Sequence, residues 1–183
     1  MKKIILAAMV LSLSGSAFAQ KYMTRTGKVS FNATSKSSPE KIEAINNETA
    51  SILDAKSGAF VFQVLVKSFK FERELMQEHF NENYMESDKF PKSDFNGKIN
   101  NFADVNLAKD GTYNVTVAGK LTMHGVSQEV SVPGTVTVKG KDVTAKAKFI
   151  VKLADYKIAI PSAVADKVAK EASIVVDAAL TQK

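Results

Sequence analysis

The chain lacks cysteine and tryptophan and contains two histidines, His79 and His124. Without cysteine there are no disulfides, no thiolate metal sites, no thiol catalysis and no lipid attachment through an N-terminal cysteine. Neither histidine has a second potential ligand at the short spacing typical of metal sites, so a metal is not predicted. The glycines form no phosphate-binding loop, and no GxSxG or SxxK pattern marks a nucleophilic serine. These absences predict a protein without catalytic residues, metal or cofactor.

Long hydrophobic runs are also absent beyond the N-terminus. The basic start MKK is followed by an apolar stretch at 4–13 and by the sequence AFA at 17–19. This order is typical of a secretory signal peptide, and the apolar run is too short for a transmembrane helix of roughly 20 residues. We therefore expect a signal peptide at 1–19, cleaved after Ala19. The remaining domain, at 20–183, is then periplasmic or secreted.

A strong charge of either sign is missing as well. The formal net charge is +6, and the lysines are spread along the chain rather than clustered. Nucleic-acid binding requires a dense basic patch, so it is not expected here. Weak peripheral contact with an anionic membrane surface stays compatible with this charge. The sequence leaves a monomer and a homodimer equally open.

The mature chain is dominated by hydrophobic alternation with a period of two. In the run from Ala59, the even positions 60, 62, 64 and 66 are Phe or Val and fall on one face, while Gln63 and Lys67 fall on the other. Similar alternation occurs in the segments 29–31, 113–117, 135–138, 145–151 and 174–180. Turn-forming residues separate these segments at 55–58, 109–111 and 139–142. Half-buried strands joined by hairpins predict a mainly antiparallel β domain, either a sandwich or a barrel.

One long stretch departs from the strand pattern. From Glu72 to about Met85 the residues favour a helix, and Met76, Phe80 and Tyr84 recur four apart along one side. We predict a helix there, ended by the proline at 91. Shorter helical turns are expected near 162–170 and after Pro39, where the segment 39–47 looks turn-like or helical.

A change of parity precedes this helix. Phe69 and Phe71 fall on the opposite parity to the preceding strand, with Lys70 between them. A bulge or bend near Lys67 and Ser68 keeps both rings buried.

Phenylalanine is abundant, with 11 residues set on alternating strands. An ordinary core explains them, but a closed sheet of about eight strands can also keep an apolar cavity for one ligand. Small residues such as Ala145 and Ala147, next to large ones, would leave room for a chain-like molecule. Residue types alone do not distinguish a filled interior from an open one.

Several short segments resemble the YceI-like family in the same order along the chain. They are MQEHF at 76–80, ESDKFPKSDFNGKI at 86–99, GKLTMHGV at 119–126, LADYKIAIP at 153–161 and VADKVA at 164–169. The positions that match the family pattern are His79, Phe80, Asp88, Phe90, Pro91, Gly119, Leu121, Thr122, Gly125 and Val126. Each motif alone is weak, but their shared order covers most of the mature chain.

The resemblance implies an extended, lipocalin-like antiparallel barrel of about eight strands. It also implies that the interior binds a long isoprenoid-like lipid, such as a polyisoprenoid or an isoprenoid quinone, in a bacterial envelope protein. The start at Gly27-Lys28-Val29 and the turn-like 39–47 depart from longer members, so the resemblance is to a compact branch.

Non-catalytic storage or transport of such a lipid is therefore the first hypothesis. The inward parity predicts the residues that line the barrel: Phe60, Phe62, Val64, Val66, Tyr113, Val115, Val117, Phe149 and Val151. Tyr113 would offer its hydroxyl to a head group.

Two alternatives stay open at this point. One is a solid-barrel envelope scaffold or stress-response module whose loops bind a protein partner. The other is a small-molecule enzyme at the barrel mouth that uses His79 or His124. A filled interior would favour the scaffold, and a continuous apolar tunnel would favour the lipid carrier.

Overall fold

The computed structural model describes residues 21–183, so the predicted signal peptide lies outside the described part of the chain. Nine β-strands make up most of this part. They are β1 Lys21–Thr34, β2 Glu43–Asp54, β3 Ala59–Leu65, β4 Lys70–Phe71, β5 Lys92–Ile99, β6 Gly111–Met123, β7 Val126–Lys139, β8 Asp142–Lys152 and β9 Val168–Gln182.

Eight of these strands form a closed antiparallel barrel. The order around the barrel is β1-β9-β8-β7-β6-β5-β3-β2, and the pairing of β2 with β1 closes it. The short β4 lies outside this cycle and pairs with the start of β2, where Phe71 lies opposite Ala44. The predicted mainly-β barrel of about eight strands is confirmed. No helix between residues 21 and 183 is long and apolar enough to cross a membrane.

The alternation read from the sequence becomes the inside and outside of the barrel. On β3, Phe60, Phe62 and Val64 are buried, whereas Val61 and Leu65 are 41% and 43% exposed. Adjacent side chains point to opposite faces of a strand, so this period places one apolar row in the interior. The same rule holds on β8, where the lysines point outward.

The predicted helix is present as α1. It runs over Glu74–His79 and continues as a π-helical turn over Phe80–Tyr84. The Met85 N–H donates to the Phe80 carbonyl at 2.9 Å, which gives the wider turn. The predicted bend before the helix is a 3-10 turn at Val66–Ser68. Further 3-10 turns lie at Phe102–Asp104, Leu153–Tyr156 and Ser162–Val164.

The prediction of a turn or short helix across 39–47 is wrong from Glu43 onward. Strand β2 begins there, and its Ala44 and Ile45 lie opposite Phe31 and Ser30 of β1. Tertiary pairing overrides the local preference, because the buried Asn46 side chain donates to the Leu65 carbonyl at 2.9 Å and is satisfied inside the sheet. The first two strands therefore contribute fully to the barrel wall.

The two ends of the barrel differ. At one end, four apolar side chains that are at most 2% exposed fill the interior: Leu53, Val138, Val143 and Leu180. Helix α1, the hairpin turn at 124–125 and the loops 35–42 and 153–167 all lie at the opposite end. We call these the packed end and the mouth.

Candidate ligand-binding site

A cavity of about 430 Å³ extends from the mouth into the barrel. Its wall comes from β1 and from β3 to β9, and helix α1 with the turn that follows it lines it at the mouth through Leu75, Met76 and Phe80. The volume lies in the range of small-molecule pockets, which is about 300–1,000 Å³. Most of the lining is aliphatic or aromatic, so the cavity suits an apolar ligand.

The side chains of the packed end do not reach this cavity. Val138 lies opposite Val143, and Val143 lies opposite Leu180, so the three strands β7, β8 and β9 meet in a tight apolar layer. The wall closer to the mouth carries the smaller Ala145 and Ala147. Small inward residues leave space that a Val or Leu row would fill, which places the cavity in the mouth half of the barrel.

Seven of the nine residues predicted to line the barrel lie along the cavity. They are Phe60, Phe62, Val64, Val115, Val117, Phe149 and Val151. Their contact with a ligand stays a prediction.

The other two predicted lining residues lie elsewhere. Val66 is buried, but it belongs to the 3-10 turn in which β3 ends, and its side chain packs away from the cavity. The Tyr113 hydroxyl donates to backbone oxygen, with Asn106 O at 3.2 Å and Lys109 O at 3.1 Å. The loop before β6 holds this hydroxyl at the packed end of the barrel, away from the mouth. Its position therefore does not support a role in head-group binding.

An aromatic cluster at the mouth is a feature that strand parity alone did not identify. Phe80 of α1 contacts Phe31 of β1 in a stacked arrangement, with ring centroids 5.3 Å apart. It also meets Phe69 and Phe71, at 5.5 and 5.1 Å. Aromatic pairs at such distances contribute about 0.5–1.5 kcal/mol beyond their buried area. Phe80 therefore holds the helix against the barrel, and all four rings line the cavity.

Tyr84 places a hydroxyl group in the cavity wall instead of Tyr113. Burial raises the pKa of Tyr84, because the phenolate would lose hydration. Its hydroxyl is thus neutral at physiological pH and can donate or accept a hydrogen bond. The four-residue spacing with Phe80 was the sequence signal for this position.

His124 fastens three segments at the mouth. Its Nε2 lies 2.9 Å from Glu86 Oε1, and its Nδ1 lies 3.0 Å from the carbonyl oxygen of Tyr156. The ring meets Phe90 edge to face at 4.8 Å, and the side chain is 9% exposed. Both nitrogens thus face protein oxygens, and His124 does not line the cavity. Its position indicates a structural clamp between the segment after α1, the β6–β7 turn and the loop after β8.

The contact with His124 also favours the ionised form of the Glu86 carboxyl group. The hydrogen bond from His124, followed by the Lys89 ammonium nearby, holds the pKa of Glu86 below its usual range. Glu86 adopts a left-handed backbone with φ of 41°, which residues other than glycine rarely do. The paired carboxylate helps to stabilise this conformation.

His79 has a different environment. It lies exposed on α1 at the cavity mouth, whereas His124 is clamped away from the cavity. Among residues 21–183, no group of three or more His, Asp or Glu side chains is arranged to hold a metal ion.

Comparison with known families decides the identity of this barrel. A family model described as the YceI-like domain matches residues 14–180. The chain belongs to the YceI-like family. A search among curated proteins returns no significant match.

Several solved structures share the fold. A polyisoprenoid-binding domain from Saccharophagus degradans superposes with a TM-score of 0.76 at 12% identity, over 90% of this chain and 99% of that one. BcnA from Burkholderia cenocepacia gives 0.68 at 22% identity, over 84% and 95% of the two chains. The Campylobacter jejuni YceI protein gives 0.55 at 15% identity, over 76% and 85%.

The motifs that carry the YceI-like resemblance meet at the mouth. Gly125 has a φ of 71° in the turn after His124, and a Cβ there would lie 2.4 Å from the ring of Phe90. A larger residue would be strained and would displace that ring. Phe90 belongs to the motif at 86–99 and Gly125 to the motif at 119–126. In the folded chain these two residues pack against each other, with His124 beside them.

Proposed function

We propose that this chain binds a long apolar lipid, such as a polyisoprenoid or an isoprenoid quinone, inside the barrel and stores or transports it without catalysis. We place this activity in the bacterial envelope, to which the leader at 1–19 would direct the protein. The observation that carries the proposal is the apolar cavity of about 430 Å³ that opens at the mouth above a packed end.

The energetics of such binding depend on buried area. Each methylene moved from water into an apolar site contributes about 0.8 kcal/mol, so a chain of several isoprene units needs few polar contacts. The lining supplies aromatic and aliphatic surface from eight strands and from α1. Family membership and the polyisoprenoid-binding domain from Saccharophagus degradans, which shares the fold, support this choice of ligand.

The cavity also discriminates between the alternatives. A solid scaffold would have the packed layer of Leu53 and Leu180 throughout, whereas the mouth half of the barrel is hollow. For the enzyme alternative, His124 is clamped to Glu86 and does not line the cavity, and His79 at the mouth belongs to no cluster of titratable side chains among residues 21–183 that could hold a metal ion. The carrier is therefore the function that the geometry supports best.

The proposal can be tested by filling the cavity. Ala147 lies in the cavity wall, so Ala147→Phe should occupy ligand space, while the matched change Ala179→Phe places the same ring on the exposed face of β9. We expect geranylgeraniol at a hundredfold excess over its Kd to stabilise the wild type by about 2.7 kcal/mol, or roughly 5–10 °C in melting temperature. Ala179→Phe should keep this shift, and Ala147→Phe should lose it.

Organic extraction followed by mass spectrometry provides a second measurement on the protein purified from its native envelope. A co-purifying lipid is expected. The carrier proposal is wrong if no lipid co-purifies and the isoprenoid leaves the melting temperature of the wild type unchanged.

A further inference from the structure

The few charged side chains along the cavity are concentrated at its mouth. Asp94 and Lys146 lie in the strand walls, but their side chains point outward to Gln63, at 2.7 Å, and Asp177, at 2.8 Å. The groups that remain at the mouth are Glu40, Arg73, His79 and Lys167. They come from three separate segments, so they surround the opening rather than follow one strand.

Arg73 and Glu40 cancel in formal charge, but their contact leaves donors of the guanidinium free. An Arg73 Nη1 donates to Glu40 Oε1 across the mouth, between the residue before α1 and the loop before β2. Guanidinium has five N–H donors in a planar fork, so a single contact leaves most of them available. The Arg73 side chain is 62% exposed and reaches the opening.

Lys167 adds a second cation from another loop at the opening. Its backbone is fixed, because its carbonyl accepts from the Ser35 N–H at 3.0 Å and its N–H donates to the Val164 carbonyl at 3.0 Å. Its ammonium group forms no ion pair within residues 21–183. Because Val164 and Val168 next to it line the cavity, the charge is held at the edge of an apolar space.

This arrangement provides two permanent cations against one carboxylate that is already paired. We propose that the ligand of the barrel is an amphiphile with an anionic head group, a carboxylate or a phosphate, held at the mouth by Arg73 and Lys167. The inference rests on the proposed lipid function and narrows its ligand class. A planar guanidinium and a mobile ammonium suit an anion that is partly hydrated, and such charge-assisted hydrogen bonds are stronger than those to a neutral head. The apolar chain then occupies the cavity below.

The test compares probes that share a chain and differ in the head group. Geranylgeranyl monophosphate is measured against geranylgeraniol, and palmitate against hexadecanol, on the whole mature protein at low and high salt. We expect each anion to bind the wild type about tenfold more tightly than its alcohol at low salt, and this advantage to shrink at high salt. The phosphate and carboxylate pairs distinguish an isoprenoid phosphate from a fatty acid as the source of the anion.

Substitutions at the mouth assign the effect to the two cations. Lys167→Gln and Arg73→Gln should each weaken anion binding about threefold to tenfold while leaving alcohol binding unchanged. Glu40→Gln removes the competing carboxylate and should strengthen anion binding, a sign that a structural defect would not produce. Lys139→Gln is the matched control, because it makes the same charge change on an exposed residue of β7 at the packed end, away from the mouth.

The outcomes separate the two proposals. Equal affinities for anion and alcohol, or an anion preference that persists in Lys167→Gln and Arg73→Gln, would overturn the head-group inference while the lipid carrier stands. Failure of all four probes to bind the wild type would overturn the carrier itself. A preference for palmitate alone or for geranylgeranyl monophosphate alone supports the inference and identifies the chain.

Discussion

At the scale of single residues, the mouth depends on a few polar side chains with defined partners. His124 faces Glu86 on one side and the Tyr156 carbonyl on the other, and Gly125 supports Phe90. Each of these residues lies in a turn, where the backbone has no ladder of hydrogen bonds to hold it. Side-chain contacts therefore take over the role that strand pairing has in the wall.

The Glu86 carboxylate makes this clamp sensitive to acid. Its pKa is lowered in the folded protein, so it contributes stability that is present above the unfolded value of about 4.3 and is lost as the pH falls through the folded value. Glu86→Gln should lower the melting temperature at pH 7, and the difference from the wild type should vanish at about pH 2–3. Melting curves between these limits measure it.

Glu82→Gln provides the matched control, because Glu82 is an exposed carboxylate on the same helical segment. Its melting temperature should follow the wild type at every pH. If Glu86→Gln does the same, the His124–Glu86 contact does not stabilise the fold.

At the scale of elements, the packing of one aromatic side chain stabilises helix α1 more than the helix's own intrinsic propensity does. The regular α-helical part is six residues long, which is too short to be stable in isolation. No side chain caps its start at Arg73. Phe80 compensates by packing against Phe31, Phe69 and Phe71. The helix is thus a feature of the tertiary contact.

Phe80→Ala should therefore release the helix. We expect a loss of about 2–3 kcal/mol in the free energy of unfolding, somewhat less than for a fully buried ring, because Phe80 is half-buried. Hydrogen exchange at 74–84 should accelerate while the strands keep their protection. Leu75→Ala on the same helix is the control, since Leu75 is 54% exposed and should cost less than about 0.5 kcal/mol. Equal effects of the two changes would contradict this role of Phe80.

At the scale of the whole molecule, one barrel combines a rigid base with a hollow half. The closed hydrogen-bond cycle leaves no free edge among the eight barrel strands, so the wall does not depend on a filled interior. The layer around Leu53, Val143 and Leu180 supplies a conventional core at the packed end. This division lets the mouth half remain open without loss of the fold.

The proposed export concerns the whole chain, and it can be tested by mass. We expect the protein isolated from its native cells to begin at Gln20, because the leader ends in an A-x-A site. Ala19→Arg should block cleavage and retain residues 1–19, whereas Ala19→Ser keeps a small residue and should be processed normally. Intact-mass spectrometry distinguishes the two, and a wild-type mass that includes residues 1–19 would contradict the prediction.

Much of the fold was predictable because it depends on local patterns. The period of two at Phe60, Phe62 and Val64 identified the inward face, and the spacing of Phe80 and Tyr84 identified the helix side that meets the barrel. Strands β2 and β5 were not among the alternating segments. In β2, Asn46 looks like a turn residue until its partner, the Leu65 carbonyl, is known.

By itself, the sequence determined segments of six of the nine strands, their inward faces and the position of the helix, because alternation and spacing are properties of neighbouring residues. The sequence did not determine which inward-facing residues line the cavity and which pack against other side chains. Val66 and Tyr113 have the right parity, yet a 3-10 turn and a loop withdraw them from the cavity. The open half, the His124 clamp and the two cations at the mouth, Arg73 and Lys167, were decided by tertiary structure, because each joins segments far apart in the chain.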